Sequence, residues 1–279
     1  MSISDNHHPG ILQSAKHRAA KLRREIYGYA LSVRYPYRSG AAQFILISGG
    51  RRGSHLLIDL LNSHPEIQCD GEILHRNRIR RKTQWPRMYL RGMRKRVRTP
   101  AYGFKASIRD LQRQQLEPVL FLTAFRTDGG RVITLRRENI LRLAISSEVA
   151  QIRGRHHDSI ANPLHKQSFR IDCRTLMHHL HKRKRQSRRE QDLVAQLQPD
   201  LDLVYESDLL RPTQHQKTAD RVFELLGRWS VPVQTNLFRT SPDELSAVIS
   251  NYQEVVDLIK GTEFEEYLDD PNYNSADAA

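Results

Sequence analysis

The stretch "FILISGGRRGSHLLIDLLNSHPEI", residues 44–67, limits the possible folds more than any other part of the chain. It starts inside "QFILIS" (43–48), a nearly unbroken apolar run of the kind that forms a strand buried on both faces. A polar turn follows, containing Gly49, Gly50, Gly53 and two arginines. Leu56, Leu57, Leu60 and Leu61 then recur at i, i+1, i+4 and i+5, which is one face of a helix. Pro65 disfavours helical geometry at His64 and marks the end of that helix. A buried strand that turns through glycines into an amphipathic helix is the opening unit of an α/β domain.

The rest of the chain repeats the alternation. "AYGFKAS" (101–107) and the β-branched "RVITL" (131–135) read as strands, and "PVLFLTAF" (118–125) as another buried element. Ile140, Leu143, Ala144 and Ser147 share a helical stripe, a long polar helix is expected over 174–197, and "LDLVYESDLL" (201–210) reads as a last strand and turn. "QSFRID" (167–172) is a candidate short strand, and two more helices are expected around 213–227 and 242–259. The expected fold is α/β with a central, mostly parallel sheet flanked by helices. Residues 1–40, with a weak helical pattern from Ile11, read as a partly disordered basic extension. Residues 41–268 read as one domain and 269–279 as an acidic tail.

The turn at Ser48–His55 is one of two candidate anion sites. Glycines let backbone N–H groups approach a ligand, and the start of a helix adds free donors and a positive dipole end. A metal-dependent nucleotidase would need G-x-x-x-x-G-K-[ST], with lysine on the phosphates and a hydroxyl on Mg²⁺. Here His55 follows Ser54 and the lysine is missing, which excludes an ordinary P-loop kinase. By itself the loop is either an anion cradle or a glycine-rich connection. The second candidate is "ITLRRENILRLAISSE", where a strand delivers Arg136 and Arg137 to the mouth of the sheet. Ser146 lies about two and a half helical turns further on. Arginine's planar fork suits phosphate, although a basic loop beside a small helix-face serine is the alternative.

Together the two motifs resemble the sulfotransferases that use 3′-phosphoadenosine 5′-phosphosulfate. In that family a strand–loop–helix of pattern R-S-G-S-T-L-L, or K-S-G-T-T, holds the 5′-phosphosulfate, and this chain reads "RRGSHLL" at 51–57, then "LLNSHPEI". The family's 3′-phosphate motif is similar to "LRRENILRLAIS", as in bacterial enzymes of the nodulation-factor type. "CDGEIL", "YGFK", "LVYESDLL" and "NYQEVVDLIKGTEFEEYL" extend the resemblance, in order, over roughly residues 43 to 268. It implies a P-loop-like three-layer fold and a metal-free transfer from that donor to a hydroxyl, on a carbohydrate or lipid-linked acceptor. It further implies that Arg51 stabilises the leaving phosphate, while Gly50, Arg52, Gly53, Ser54, His55 and Leu56 line the phosphosulfate site. Arg137 and Ser146 would hold the 3′-phosphate, with Arg136 the rival of Arg137. Arg52 and His55 depart from the family pattern, which puts one side-chain hydrogen bond in question.

An acceptor hydroxyl needs a base within hydrogen-bond reach. Glu72 is the first candidate by the same resemblance, followed by His75 and His64, and Lys105 either contacts the donor or pairs with an acid. Residues 76–98 contain eleven Lys or Arg and no acid, with Trp85 and Tyr89 among them. Such a tract suits a solvated helix, an acceptor lid or an anionic surface as well as nucleic acid. A basic nucleic-acid-binding protein with a non-catalytic phosphate loop is therefore the alternative function. His178, His179 and His181 lack the i, i+4 spacing of a metal site. A net charge of +14 fits anionic small molecules and polyanions alike. Two cysteines make no disulfide framework, and no apolar run reaches about 18 residues. The "MSISDNHHPG" start also lacks a signal-peptide apolar region, so a cytoplasmic chain is expected, with peripheral membrane attachment left open.

Overall fold

The computed structural model describes residues 11–34, 42–153, 158–159, 168–238, 244–268, 270 and 273. Its centre is a sheet of β1 (Ala42–Ile47), β2 (Ile67–Glu72), β3 (Ala101–Ala106), β4 (Arg131–Arg136) and β5 (Leu201–Val204). The strand order is β2-β3-β1-β4-β5, and every pairing is parallel. The helices are α1 (Ile11–Arg34), α2 (Ser54–Leu61), α3 (Pro86–Arg96), α4 (Ile108–Arg113), α5 (Pro118–Thr127), α6 (Ile140–Arg153), α7 (Cys173–Leu197), α8 (Tyr205–Asp208), α9 (Pro212–Leu225) and α10 (Tyr252–Ile259).

The apolar runs are explained by burial on both faces. Phe44 and Leu46 of β1 pack with Ile133 and Leu135 of β4 against Leu57, Leu60 and Leu61 of α2 and Val222 and Phe223 of α9. Ile45 and Ile47 face the other way, with Val132 and Phe104, onto Leu111 of α4, Phe121 and Leu122 of α5 and Leu197 of α7. Side chains alternate across a strand, so a helix layer on each side leaves no polar face to encode. A third apolar cluster joins α6, the start of α7 and α10 at one flank.

"PVLFLTAF" is helix α5. Pro118 opens it, and the Glu117 carboxylate accepts from the Val119 N–H (3.2 Å) and the Leu120 N–H (2.6 Å). Two expected elements differ. The candidate strand at 167–172 reduces, in its described residues, to a single bridge between Phe169 and Ile249. That bridge takes the Val248 carbonyl (2.7 Å) and the Ser250 N–H (3.0 Å). Backbone engaged there cannot continue a helix, so α10 begins at Tyr252 and not near 242.

Residues 11–34 form a helix that docks on α3. The Glu25 carboxylate is fully buried and accepts from the Arg80 backbone N–H (2.6 Å) and side-chain Nε (2.9 Å). Arg91 Nε and Lys95 Nζ donate to the hydroxyl (2.9 Å) and carbonyl (2.7 Å) of Ser32. The two helices cross at Gly28 and Gly92, where a Cβ on Gly92 would lie 1.7 Å from the Gly28 carbonyl oxygen.

Candidate anion and transfer site

Both sequence motifs leave the sheet from neighbouring strands. The connection after β1 returns toward β2, while the one after β4 runs the opposite way to β5, which opens a crevice between their carboxyl ends. Such a switch point is where open parallel sheets bind ligands. A cavity of about 300 Å³ lies there, lined by Ser48, Gly49, Arg52, Thr134, Arg136 and Arg137 among others. On its wall, Arg52 Nε and Ser187 Oγ are buried without a hydrogen-bond partner. Polar atoms left in that state favour a polar occupant.

The loop is fixed from below. Ser48 N–H donates to the Ala106 carbonyl (3.0 Å) and its hydroxyl to the Leu135 carbonyl (3.0 Å), tying β1 to both neighbours. Arg51 then adopts φ 67°, which non-glycine residues rarely do, and Gly53 adopts φ 82°. At Gly53 the side chain of Tyr205 also leaves no room for a Cβ, which would come within 2.5 Å of the ring. Gly53 precedes α2 without a side-chain cap, so the first-turn N–H groups of Ser54, His55 and Leu56 carry the helix's positive end toward the loop.

Across the crevice, Arg51 Nε donates to Ser146 Oγ at 2.9 Å, joining positions 95 residues apart. Helix α6 thus does run alongside the loop. Arg137 is almost enclosed. It donates to the Arg51 carbonyl (3.3 Å) and the Tyr273 hydroxyl (3.0 Å), lies over the Tyr205 ring at 4.6 Å and pairs with Glu206 at 3.7 Å. Arg136 is more open and shared between Glu138 and Asp202 (3.1 Å). Arg52 does not project toward the loop's open side, because it is buried and paired with Glu190 of α7. Its guanidinium folds back over Gly49.

On the other side of β1, a bulge at Gly71 sets Glu72 opposite Lys105. Lys105 is only 1% exposed, and its Nζ donates to Glu72 Oε1 at 2.5 Å. Burial would raise the Glu72 carboxyl, but Lys105, with help from His75 and His55, holds it below the usual carboxylate range. Lys105 thus pairs with an acid, Glu72. His75 Nδ1 accepts from the Asn77 N–H (3.3 Å), so the neutral ring carries its proton on Nε2. His64 is a core residue. Its Nδ1 accepts from the Glu66 N–H (3.0 Å), its Nε2 meets the Trp229 carbonyl (3.1 Å), and its ring packs on Phe223. With both nitrogens engaged, it has no free site for a substrate proton.

Two contributors were missed in the sequence. The buried Glu206 carboxylate accepts from the Glu138 (3.0 Å) and Asn139 (3.2 Å) N–H groups and so caps the start of α6. Tyr273, from the segment expected as a tail, accepts from Arg137 and presents its ring face to the Arg142 guanidinium (3.7 Å). "YES" and a lone tyrosine carry no local signal of such distant contacts. His179 pairs with Glu148 and His181 with Glu263 (3.3 Å), so the histidine cluster is spread over separate partners. Tyr89, expected among bases in the nucleic-acid reading, is 3% exposed and sits beneath Gly28, out of reach for stacking. Burial pushes the Cys69 thiol up, away from nucleophilic character.

No protein-family model matches the chain, and no curated protein does. Among solved structures it is similar to a sulfotransferase from Alicyclobacillus acidocaldarius, with 14% sequence identity and a TM-score of 0.46, over 86% of this chain and 100% of that one. A likeness this distant bears on neither residues nor activity.

Proposed function

We propose that this chain is a sulfotransferase that moves a sulfuryl group from 3′-phosphoadenosine 5′-phosphosulfate to an acceptor hydroxyl. The observation that carries the reading is the bond between Arg51 of the first motif and Ser146 of the second, at the crevice between β1 and β4. Two stretches that resemble the donor-binding motifs of one family, 95 residues apart, meet where a parallel sheet binds ligands.

In the transfer, the acceptor oxygen bonds to sulfur as the bond from sulfur to the bridging phosphate oxygen breaks. Negative charge then grows on that leaving phosphate. In this reading Arg51 and the N–H groups of Ser54, His55 and Leu56 at the uncapped start of α2 stabilise that charge without a metal, supported by the loop's position beside Ser146. Ser146 and the arginine pair 136–137 hold the 3′-phosphate end. Glu72 takes the acceptor proton through the carboxylate oxygen that Lys105 leaves available. Its lowered pKa makes it a weak base, so positioning contributes more than basicity. His75, with its proton on Nε2, serves as a donor beside it. A carbohydrate or lipid-linked acceptor rests on the motif resemblance.

Calorimetry with adenosine 3′,5′-bisphosphate against adenosine 5′-monophosphate tests the reading. The bisphosphate binds more tightly by at least about tenfold, since one phosphate in a charged site contributes about 1.5–3 kcal/mol. Equal affinities would refute it.

A further inference from the structure

The basic tract at residues 76–98 has no part in the anion loop, and it builds a surface at the opposite end of the sheet. Among the described residues, a groove of about 1640 Å³ opens between α1, α3 and α5, beside the amino ends of β1 and β3. It exceeds the roughly 300–1,000 Å³ of an ordinary small-molecule pocket, which suits an extended ligand. One wall is cationic. Arg87, Arg91 and Arg94 line it at i, i+4 and i+7 of α3, about 10 Å of one helical face, and Arg98 follows just beyond the helix. Arg91 is steadied by the Ser32 hydroxyl (2.9 Å), whereas Arg87 and Arg98 stand exposed. Asp128 is the one acid among the described lining residues.

Aromatic rings lie in the same groove. Tyr27 of α1 and Trp85 before α3 both line it, yet they are 54% and 56% exposed. The Trp85 ring is held in place from behind. Tyr29 packs on it at 5.4 Å with the ring planes 70° apart, and the Tyr29 hydroxyl accepts from the Trp85 backbone N–H (3.3 Å). Phe125, half-buried on α5, lines the groove as well. Single exposed aromatics are ordinary, but two that share a deep groove with a row of arginines mark an interaction surface.

We propose that this groove binds single-stranded nucleic acid, with the α3 arginines on successive phosphates and bases stacked on Trp85 and Tyr27. A cationic track beside aromatic platforms is how proteins hold single strands without reading their sequence. At about 3.4 Å per stacked nucleotide, the arginine row on α3 spans roughly three nucleotides. Other polyanions fit less well. A sulfated polysaccharide uses the arginines but brings no aromatic face to Trp85 and Tyr27, and a duplex keeps its bases stacked on one another. The six-residue strands separate the two ends of the sheet by roughly 20 Å, so a strand in the groove leaves the anion loop unoccupied. The proposal is independent of sulfuryl transfer.

The test is fluorescence anisotropy of the full chain with a labelled deoxythymidylate 15-mer, run beside a duplex of the same length and dextran sulfate. The 15-mer is expected to bind more tightly than the duplex, and its affinity falls as salt rises. Trp85→Ala weakens it by at least about fivefold through lost stacking and leaves dextran sulfate binding unchanged. Arg87→Ala with Arg98→Ala lowers the slope of log affinity against log salt by about 1.4, taking about 0.7 per phosphate contact. Saturating adenosine 3′,5′-bisphosphate leaves the 15-mer bound. Circular dichroism checks that each variant is folded. A 15-mer that ignores Trp85→Ala, or an equal loss of dextran sulfate binding in that variant, overturns the proposal. So does a duplex held as tightly as the 15-mer. Displacement of the 15-mer by the bisphosphate also overturns it, since the strand would then sit on the anion loop.

Discussion

Replacing Arg51 by glycine and by alanine separates the strain in the loop from the chemistry it serves. At φ 67° a side chain costs about 1–2 kcal/mol, which alanine retains and glycine relieves. Glycine returns about 0.5–1 kcal/mol through the greater freedom of the unfolded chain. Both variants lose the bond from Arg51 Nε to Ser146 Oγ, about 1 kcal/mol for a part-buried, charge-assisted contact. Arg51→Ala is therefore less stable than the parent by about 1 kcal/mol, and Arg51→Gly lies within about 1 kcal/mol of it. The order of the two reverses the usual rule, under which glycine is the less stable by about 0.5–1 kcal/mol. Urea unfolding measures that order. Affinity for adenosine 3′,5′-bisphosphate, read by calorimetry, falls roughly 30-fold in both, from about 2 kcal/mol of lost charge contact. If the alanine variant is as stable as the glycine variant, Arg51 is not strained. If either binds like the parent, Arg51 does not hold the anion.

The rival arginines differ in stability before they differ in binding. Arg137→Ala, which removes contacts to the Arg51 carbonyl, Tyr273 and Glu206, destabilises the fold by about 3 kcal/mol in urea unfolding, whereas Arg136→Ala costs under about 1 kcal/mol. Gly92→Ala drives a methyl group into the Gly28 carbonyl, lowers stability by about 2 kcal/mol or more and exposes α1 to limited proteolysis, while Gly71→Ala, with open space around it, leaves α1 protected. Glu72→Gln leaves buried Lys105 without its counter-charge. Because the folded carboxyl titrates below its unfolded value near about 4.3, the pair's stabilisation is complete above that value and is lost as pH falls through the folded pKa. Urea unfolding should show a stability difference of about 2–3 kcal/mol at pH 7 that narrows progressively as pH falls below the unfolded carboxyl value.

Parts of this architecture were legible because they are local. "FILI" announces a strand covered on both faces, and Gly53 announces a turn that no larger residue can make beneath Tyr205. The distinction between Arg136 and Arg137 was illegible, since adjacent identical residues leave a strand end on different sides. One meets Asp202 of β5 and the other the loop, a difference that depends on register with a strand 66 residues away. Glu206 escaped notice for the same reason, because its partners at 138 and 139 are near only in three dimensions. Tyr89 misled in the opposite sense. An aromatic within a basic tract suggests stacking, yet its ring is buried against Gly28 where α1 crosses α3.

The charged groups divide around β1 in a way that suits a reaction with two ends. Toward β4 and β5, arginines 136 and 137 are held by Asp202, Glu138 and Glu206, which keep them oriented and partly neutralised before any ligand arrives. An anion entering there exchanges existing partners for itself, so the net gain is smaller than the number of arginines suggests. Toward β2 and β3 the balance is inverted. One buried lysine faces a half-exposed carboxylate with His55 and His75 nearby, a setting that keeps Glu72 ionised at neutral pH. Arg51 stands between the two halves with its backbone strained and its guanidinium turned to Ser146. A strained residue survives only where its surroundings over-determine it. Here Arg137 grips the Arg51 carbonyl, Ser48 anchors the strand end and Ser146 takes the side chain. The loop proposed to hold the anion is thus fixed before any ligand arrives, and α6 supplies one of its anchors through Ser146.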